Sequence, residues 1–280
     1  MSRFDLSLFT RAADAAVSRF AVEILEECES SNTVLLEKAA RGAALGTVAL
    51  ALRQTAGRGR CGRAWISSPE NSLTFSFLWS ADPARGGLSL AAGLALCRAL
   101  ENLGARSLAL KWPNDLFLAA SQSSSARPPR KLAGILAELC KTPNMGWAAV
   151  IGVGLNLVAP ATETAAGLAE AFPAENLPPR PEILLAGILG EIARTLEVWE
   201  KAGFAALRED WRARHLWENQ AVILRDAETI CAEGICRGVD DEGALLLEAR
   251  PAHSGGAAEI RRFLAGDLSL RAAEAGSLSC

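Results

Sequence analysis

Residues 54–65 read QTAGRGRCGRAW, a stretch of glycine and arginine between two apolar runs. The run before it, 47–53 (TVALALR), predicts a buried strand, and the run after it, 73–79 (LTFSFLW), alternates in polarity and predicts a second strand. The three glycines spell a formal GxGxxG, but a dinucleotide-binding fingerprint opens a helix, whereas a strand follows here. No Gly-Lys-Ser/Thr sequence closes the stretch as in a Walker A loop.

This loop carries three arginines, Arg58, Arg60 and Arg63. Guanidinium groups bind carboxylate and phosphate oxygens in a forked geometry, and the neighbouring glycines permit large changes of backbone dihedral. The composition therefore favours a loop that closes over an anionic ligand. A solvated basic turn and an RNA contact of the RGG type are the alternatives that this segment alone leaves open.

Three further segments place polar residues or glycines on predicted strands. KWPND at 111–115 ends a strand, because its proline removes a ladder donor and forces a turn, and strand ends are common ligand sites. KLAGILAEL at 131–139 and IGVGLNL at 151–157 are apolar runs whose glycines allow close approach of another group. An Asx turn explains the first segment equally well, and packing explains the glycines. Together with the loop, however, these segments favour a binding site.

The rest of the chain predicts an α/β domain followed by a small β module. Apolar spacing predicts helices at about 9–20, 88–103 and 181–213, and further strands at 108–112, 115–118, 132–139 and 148–157. After Trp217 the apolar period becomes two, with tight-turn sequences at 240–243 and 254–256, which is typical of a small β-barrel. Segment 121–130 predicts a mobile hairpin extension, and 159–181 gives no clear prediction.

The composition is that of a globular protein, with 280 residues, 50% hydrophobic and 22% charged, and a net charge of −3. Proteins that bind nucleic acid chiefly through phosphate contacts are usually basic, so this balance counts against that class. Seven cysteines without a CxxC pair argue against a disulfide framework or a zinc site. Since neither a signal peptide nor a membrane helix is recognisable, we expect a cytoplasmic protein.

Taken together, these segments resemble the biotin–protein ligase family. The matching segments come in the family's order: Ser30-Ser31-Asn32, Gln54 with GRGRCGRAW, KWPNDLFL, KLAGILAEL, IGVGLNL, GALLLE at 243–248 and GDLSLR at 266–271. The resemblance implies an α+β fold. A mixed β-sheet catalytic domain of the biotin/lipoate ligase type, flanked by helices, would span 1–217 with a helical extension at 1–24. A small SH3-like β-barrel domain would span 218–280.

The resemblance also implies an activity. The enzyme would form biotinyl-5′-adenylate from biotin and Mg·ATP, then transfer biotin to a lysine of the biotin carboxyl carrier protein of acetyl-CoA carboxylase. Biotin is then a substrate, ATP and Mg²⁺ are co-substrates, and no tightly bound cofactor is expected. The implied partner is the carrier domain, without DNA or membrane, and the protein is expected to be a monomer or a homodimer.

Site residues follow from the matched segments. The implied catalytic residues are Arg58, Arg60, Lys111, Asp115 and Lys131. The implied biotin- and adenylate-binding residues are Ser30, Ser31, Asn32, Gln54, Gly57, Arg58, Gly59, Arg60, Arg63, Trp65, Lys131, Gly134, Gly154 and Asn156. No protein ligand of Mg²⁺ is assigned, since the ion arrives with ATP.

The residue types fit the implied chemistry. Arginine and lysine side chains at the loop and at Lys131 suit charge that develops on phosphoryl oxygens, and the Ser, Asn and Gln side chains suit the neutral urea of biotin. Asn156 matches a position near the adenine, and the loop around Trp65 would shield the adenylate from water. Asp115 is expected to orient or deprotonate the carrier lysine, and Lys111 to contact phosphate or carrier, although both also suit structural roles.

The sequence departs from the family in several places. Family members that double as repressors carry an N-terminal DNA-binding domain, and fewer than thirty residues precede Glu29 here, so we predict no DNA binding. Cys61 stands where a basic residue is common, and Asp267 stands where glutamate is familiar. Asp267 and Arg271 are candidates for linking the small domain to the active site.

Three other functions compete with this one. A lipoate–protein ligase or octanoyl transferase of the same fold is the nearest, and substrate competition separates it from a biotin ligase. A nucleic-acid-binding protein that uses the GRGR loop would bind with strongly salt-dependent affinity. The third alternative is a homologue that binds the carrier but is catalytically inactive.

Overall fold

A computed structural model of the chain describes residues 4–68, 70–119, 127–227, 229–249, 258–266 and 268–273. Most of the predicted hairpin extension at 121–130, the predicted turn at 254–256 and Asp267 lie outside these ranges. Within the described ranges, no helix is long and apolar enough to span a membrane.

The amino-terminal part of the described chain contains a seven-stranded mixed sheet in the order β1-β2-β3-β7-β6-β5-β4. Its strands are β1 Ala21–Leu25, β2 Thr47–Ala51, β3 Ser72–Ser80, β4 Leu108–Lys111, β5 Asp115–Leu118, β6 Arg130–Thr142 and β7 Gly146–Asn156. β1 and β2 are parallel, and the other neighbours are antiparallel. The apolar runs in the sequence predict six of these strands correctly.

Helices cover both faces of this sheet. They are α1 Leu6–Ala12, α2 Ser31–Ala40, α3 Leu88–Asn102, α4 Pro181–Ala202 and α5 Arg208–Ala213. The large side chains of β3, Phe75 and Phe77, belong to the main core, which includes buried residues of α3 and α4. Their neighbour Ser76 points to the opposite face, where it hydrogen-bonds Ser31 of α2. The alternation of the LTFSFLW run thus puts bulk on the core face and small polar groups on the α2 face.

The amino terminus differs from its prediction. Instead of one helix over 9–20, α1 ends at Ala12 and a separate 3-10 helix spans Ala15–Arg19. The break has a local cause, because the Asp14 carboxylate accepts hydrogen bonds from the backbone N–H groups of Ala16 and Val17 and starts a new helix there. The predicted helical extension at 1–24 also includes part of β1, the edge strand of the sheet.

The predicted helix at 181–213 is interrupted. α4 begins with Pro181 at its first turn and ends at Gly203, whose φ of +75° favours glycine. A 3-10 turn over Phe204–Ala206 then leads into α5. Phe204 is buried and packs edge-on against Trp211 of α5, at 6.5 Å between ring centroids, so the kink serves core packing.

The carboxyl-terminal part is a five-stranded antiparallel sheet in the order β11-β10-β9-β8-β12. Its strands are β8 Ala221–Asp226, β9 Thr229–Val239, β10 Leu245–Ala249, β11 Glu259–Phe263 and β12 Leu268–Ala272. In the described residues the sheet is open, because β11 and β12 are its two edges. The fold class is the predicted one, a mixed sheet with helices followed by a small β domain.

The two parts are in direct contact. The buried indole of Trp112, just after β4, donates a hydrogen bond of 3.1 Å to the carbonyl oxygen of Gly243 in the small domain. Leu110 of β4 also pairs with the segment that leads to β8, through backbone bonds with Arg214 and Leu216. These contacts place β12 beside the ends of β4, β5 and β6.

Candidate active site

A cavity of about 520 Å³ opens on the α2 face of the large sheet, between the 54–65 loop and β12. Fourteen of the predicted site residues line it: Ser30, Ser31, Asn32, Gln54, Arg58, Gly59, Arg60, Arg63, Trp65, Lys111, Asp115, Lys131, Gly134 and Gly154. These residues come from five separate segments of the sequence, so the fold gathers them into one site.

Two predicted residues do not line the cavity. Gly57 lies at the base of the loop, where an added Cβ would be 2.5 Å from the carbonyl oxygen of Trp65. Asn156, at the end of β7, is buried, and its Nδ2 lies 3.4 Å from the carbonyl oxygen of Lys131 and 3.3 Å from that of Ala166. Asn156 therefore fixes the strand that carries Lys131 and does not face the cavity itself.

The cavity is strongly cationic. Among the described residues that line it, the charged side chains are Arg58, Arg60, Arg63, Lys111, Lys131 and Arg271 on the positive side and Asp115 alone on the negative side. An excess of cations in a concave site raises the local concentration of anions and stabilises them when they bind. The protein as a whole is acidic, so this positive charge is a local property of the cavity.

One end of the cavity is neutral and polar. Gln54 Oε1 accepts hydrogen bonds from the backbone N–H of Ser31, at 2.7 Å, and from its hydroxyl, at 3.0 Å. The Ser31 hydroxyl also lies 2.7 Å from that of Ser76, which donates to Asn32 Oδ1. We call Ser31, Asn32, Gln54 and Ser76 the neutral cluster. All four side chains are buried, and their hydrogen bonds leave them in one arrangement.

The neutral cluster depends on Gly152 of β7. A Cβ at this position would lie 2.2 Å from Asn32 Oδ1, so only glycine leaves space for the carboxamide. Gly154, two residues further, likewise faces the Trp65 indole, whose nearest atom would be 2.3 Å from an added Cβ. The glycines of the IGVGLNL segment thus allow other side chains to lie close to the strand, as predicted. These side chains belong to the predicted site residues Asn32 and Trp65.

The KWPND segment forms the hairpin between β4 and β5, with a cis peptide bond between Trp112 and Pro113. Lys111 and Asp115 are cross-strand partners at its base.

Lys111 Nζ lies 5.0 Å from the ring centre of Phe117 and 5.4 Å from that of Trp217. Burial lowers the pKa of Lys111 to about 8, although Asp115 raises it, and the cations Arg271, Lys131 and Arg63 lower it further.

The loop is a short hairpin with contacts on both sides. Cys61, at its exposed tip, has a φ of +55°. On one side, Arg58 Nη2 donates to Glu138 Oε2 of β6 at 2.8 Å. On the other side, Arg60 Nη1 donates to Asn114 Oδ1 at 2.9 Å, and its Nη2 donates to the carbonyl oxygen of Ala265 at 3.3 Å and to that of Gly266. The loop therefore bridges the large sheet and the small domain.

Several residues in or next to the cavity are not predicted from the sequence. Ser76 is hidden in a strand that reads as core, and Glu138 reads as an exposed residue of an apolar strand. Asn114 lies inside the KWPND segment, where its neighbours drew the predictions. Phe117, Trp217 and Thr164 also line the cavity, and only their position in the folded chain brings them there.

Comparison with known proteins agrees with the fold. Residues 25–156 match the model of the Biotin/lipoate A/B protein ligase family, and residues 219–271 match the Biotin protein ligase C terminal domain. The Escherichia coli bifunctional ligase/repressor BirA is 34% identical over 90% of this chain and 75% of its own length. The biotin–[acetyl-CoA-carboxylase] ligase of Mycobacterium tuberculosis is 32% identical over 81% of this chain and 83% of its own.

A solved structure supports the same assignment. The biotin protein ligase from Aquifex aeolicus, in complex with biotin and ATP, has a TM-score of 0.71 and 28% sequence identity, over 90% of this chain and 99% of that one. The chain belongs to the biotin/lipoate protein ligase family. Within that family, its carboxyl-terminal domain is the one found in biotin protein ligases.

Proposed function

We propose that this protein is an ATP-dependent biotin–protein ligase. It forms biotinyl-5′-adenylate from biotin and Mg·ATP and transfers biotin to a lysine of the biotin carboxyl carrier protein of acetyl-CoA carboxylase. The observation that carries the proposal is the division of one cavity into a neutral hydrogen-bonding end and a cationic remainder. This division matches the uncharged ring and the charged tail of biotin, followed by the phosphates of ATP.

The ring of biotin fits the neutral cluster. A urea has two N–H donors and a carbonyl acceptor and no charge, so it needs fixed neutral partners. Ser30, Ser31, Asn32 and Gln54 supply hydroxyl and amide groups at the cavity wall. The side chains of this cluster carry no charge, and Arg58, the arginine next to it, is ion-paired with Glu138, so a carboxylate or phosphate would bind poorly at this end. The ring therefore enters first and leaves the carboxylate among the cations.

Adenylation needs the cationic end. A biotin carboxylate oxygen attacks the α-phosphorus of ATP, a new C–O–P linkage forms, and the bond to pyrophosphate breaks. Two anions must meet, and negative charge grows on the phosphoryl oxygens in the transition state. Arg58, Arg60 and Lys131 are the cations that would offset this charge, with the amide of Gly59 beside them.

Magnesium enters this scheme with ATP as part of a substrate. In the described ranges, no three His, Cys, Asp or Glu side chains come together as a metal site. Asp115 is the single carboxylate among the described residues of the cavity wall, and it is ion-paired with Lys131. Most Mg²⁺ ligands would then be phosphate oxygens and water, which suits this ion.

Transfer needs a neutral amine. The carrier lysine loses a proton, its nitrogen attacks the acyl carbon of the adenylate, and AMP leaves with the C–O electron pair. Asp115 would orient this lysine or accept its proton, since it lies at the base of the β4–β5 hairpin and lines the cavity. Lys111 would contact the phosphate of the departing AMP, while Trp65 covers the anhydride.

Partner, quaternary structure and location are further parts of the proposal. We propose the carrier domain as protein substrate, a monomer or homodimer as the active species, and the cytoplasm as its location. The absence of DNA binding stays a prediction, which a mobility-shift assay with biotin and ATP present would test.

The test of the activity is the mass of the carrier. The protein is incubated with biotin, Mg·ATP and a biotin carrier domain, and the carrier is weighed intact by mass spectrometry. We expect the gain of one biotinyl group, dependent on ATP and lost in Arg60→Ala. Parallel reactions contain lipoate or octanoate, and a gain with either of these, but not with biotin, would assign the protein to the other branch of the family.

A further inference from the structure

Glu138 of β6 is outside the cavity wall but touches two of the residues that form it. Its Oε2 accepts a hydrogen bond from Asn32 Nδ2 at 2.8 Å and another from Arg58 Nη2, also at 2.8 Å. A single carboxylate oxygen thus joins the neutral cluster to the cationic loop. We propose that Glu138 is a positioning residue that couples occupation of the neutral cluster to closure of the loop. This inference rests on the proposed function.

The bond to Asn32 sets the direction of its amide. Asn32 Nδ2 donates to Glu138 and lies 3.2 Å from the carbonyl oxygen of Leu136, and both of these partners are acceptors only. Asn32 Oδ1 must then face Ser76, whose hydroxyl donates to it. That commits the single proton of Ser76 to Asn32, so the 2.7 Å contact between the two hydroxyls is donated by Ser31, whose single proton is shared between Ser76 and Gln54 Oε1. Glu138 therefore orders hydrogen bonds across the neutral cluster.

The bond to Arg58 holds the loop. The backbone of the hairpin is closed by bonds from Gly59 N to Arg63 O, at 2.7 Å, and from Trp65 N to Gly57 O, at 2.9 Å. These bonds give the hairpin its shape but do not attach it to the sheet. The pair of Arg58 and Glu138 makes that attachment at the side of the neutral cluster, and both side chains are partly exposed, so the pair is weak enough to open.

A ring that binds to Asn32 and its neighbours stabilises the arrangement in which Nδ2 points to Glu138. The carboxylate is then held where Arg58 reaches it, and the closed loop gains stability in turn. Because coupling is reciprocal, a closed loop also raises the affinity for the ring. Without the carboxylate, the ring and the loop would bind and close independently.

The test uses Glu138→Gln, with Glu197→Gln as matched control, since Glu197 also pairs with an arginine, Arg19, but on α4 outside the cavity wall. We expect the KM for biotin in Glu138→Gln to rise about tenfold, with kcat at saturating substrates within about threefold of wild type. Glu138→Asp keeps the charge but shortens the side chain. Its KM for biotin should lie between that of wild type and that of Glu138→Gln. Glu197→Gln should leave the KM for biotin unchanged.

Trypsin cleavage of the loop gives a second readout. If Glu138 had a purely structural role, its substitution would not change the protection by biotin. Cleavage after Arg58, Arg60 and Arg63 is followed by mass spectrometry, with and without biotin. In wild type, biotin should slow this cleavage, and in Glu138→Gln this protection should be lost while the melting temperature stays close to that of wild type. Combining Glu138→Gln with Arg58→Gln should raise the KM for biotin by less than the product of the two single effects, because each single variant already removes the contact between these residues.

The outcomes separate the two proposals. If the wild-type protein binds no biotin in a calorimetric titration, the proposed function fails. If the wild type binds biotin and Glu138→Gln shows the same KM and the same protection by biotin, the coupling role is wrong while the ligase function stands. Additive effects in the double variant would likewise overturn the coupling.

Discussion

Lys131 Nζ lies 2.6 Å from Asp115 Oδ1, so the first residue of the KLAGILAEL segment and the last residue of the KWPND segment form one ion pair at the cavity. Lys131 Nζ also lies 5.7 Å from the ring centre of Trp65 in the loop. The pair keeps a cation in place before any phosphate arrives. It also fixes the position of the Asp115 carboxylate at the cavity wall.

Lys131→Gln is expected to slow adenylate formation by about 100-fold, because it removes a fixed positive charge from the developing phosphoryl charge. Pyrophosphate release with biotin and Mg·ATP, without carrier, measures this step. Lys141→Gln is the control, since Lys141 lies on the same strand but at its far end, over Trp147. Equal rates in Lys131→Gln and wild type would remove Lys131 from the chemistry.

Asp115→Asn is expected to act mainly on the second half-reaction. The asparagine keeps the shape but can neither accept the proton of the carrier lysine nor attract its ammonium form. Transfer from preformed biotinyl-5′-adenylate to the carrier, in single-turnover experiments, should slow by about 100-fold, which is within the usual range for loss of a general base. A variant that adenylates slowly but transfers at the wild-type rate would contradict this role.

Because Lys111 is a buried cation, we expect it to destabilise the folded protein at pH values where it is protonated. Burial lowers its pKa to about 8 from 10.5, so between these values the unfolded chain binds a proton that the folded chain does not. The penalty is full below pH 8 and fades as pH rises toward 10.5. The difference in unfolding free energy between Lys111→Met and wild type should therefore shrink, by on the order of 2 kcal/mol, from pH 7 to pH 10.

Urea denaturation at the two pH values measures this difference, with Lys141→Met as control at an exposed lysine. The free energy of unfolding of Lys111→Met, relative to that of wild type, should be higher at pH 7 than at pH 10. A difference that is the same at both pH values would mean that Lys111 is not a destabilising buried cation.

Gly152→Ala is expected to weaken biotin binding. The new methyl group would sit 2.2 Å from Asn32 Oδ1, so the carboxamide must leave its position and the neutral cluster loses its order. We expect at least a tenfold rise in the Kd for biotin, by titration calorimetry, and a loss of about 1–3 kcal/mol of stability. Gly93→Ala in α3, where the nearest atoms are 3.6 Å away, should change neither the Kd nor the fold. Unchanged affinity in Gly152→Ala would exclude the cluster as the ring site.

The sequence predicts the central strands well, because their apolar runs are buried on both sides. β1 was missed since its residues Ala21–Leu25 are only partly buried at the sheet edge, and α2 was missed since its first turn is polar. That polar first turn, Ser31 and Asn32, lines the cavity. Prediction of a helix from apolar spacing therefore fails where side chains face a cavity and not the core.

Most site residues were predictable as motifs, but their contacts were not. Ser76 contacts Ser31 and Asn32 of α2, and Glu138 contacts Asn32 and Arg58. These partners are distant in the sequence, so no local pattern predicts the contacts. Arg60 meets Ala265 and Gly266 across more than two hundred residues of sequence, so this contact needs the docked small domain. The contacts of Asn156 were not predictable either, since its Nδ2 donates to the carbonyl oxygens of Lys131 and Ala166, and its predicted place near the adenine stays a prediction.

The most direct test of the central claim is a chase experiment with the adenylate held in the cavity. The protein is incubated with biotin and Mg·ATP, freed of small molecules by rapid gel filtration, and then given the carrier domain without further ATP. We expect the carrier to gain one biotinyl group, because the adenylate stays under the loop and passes directly to the lysine. A carrier that gains no mass, with no adenylate retained on the protein, would contradict it.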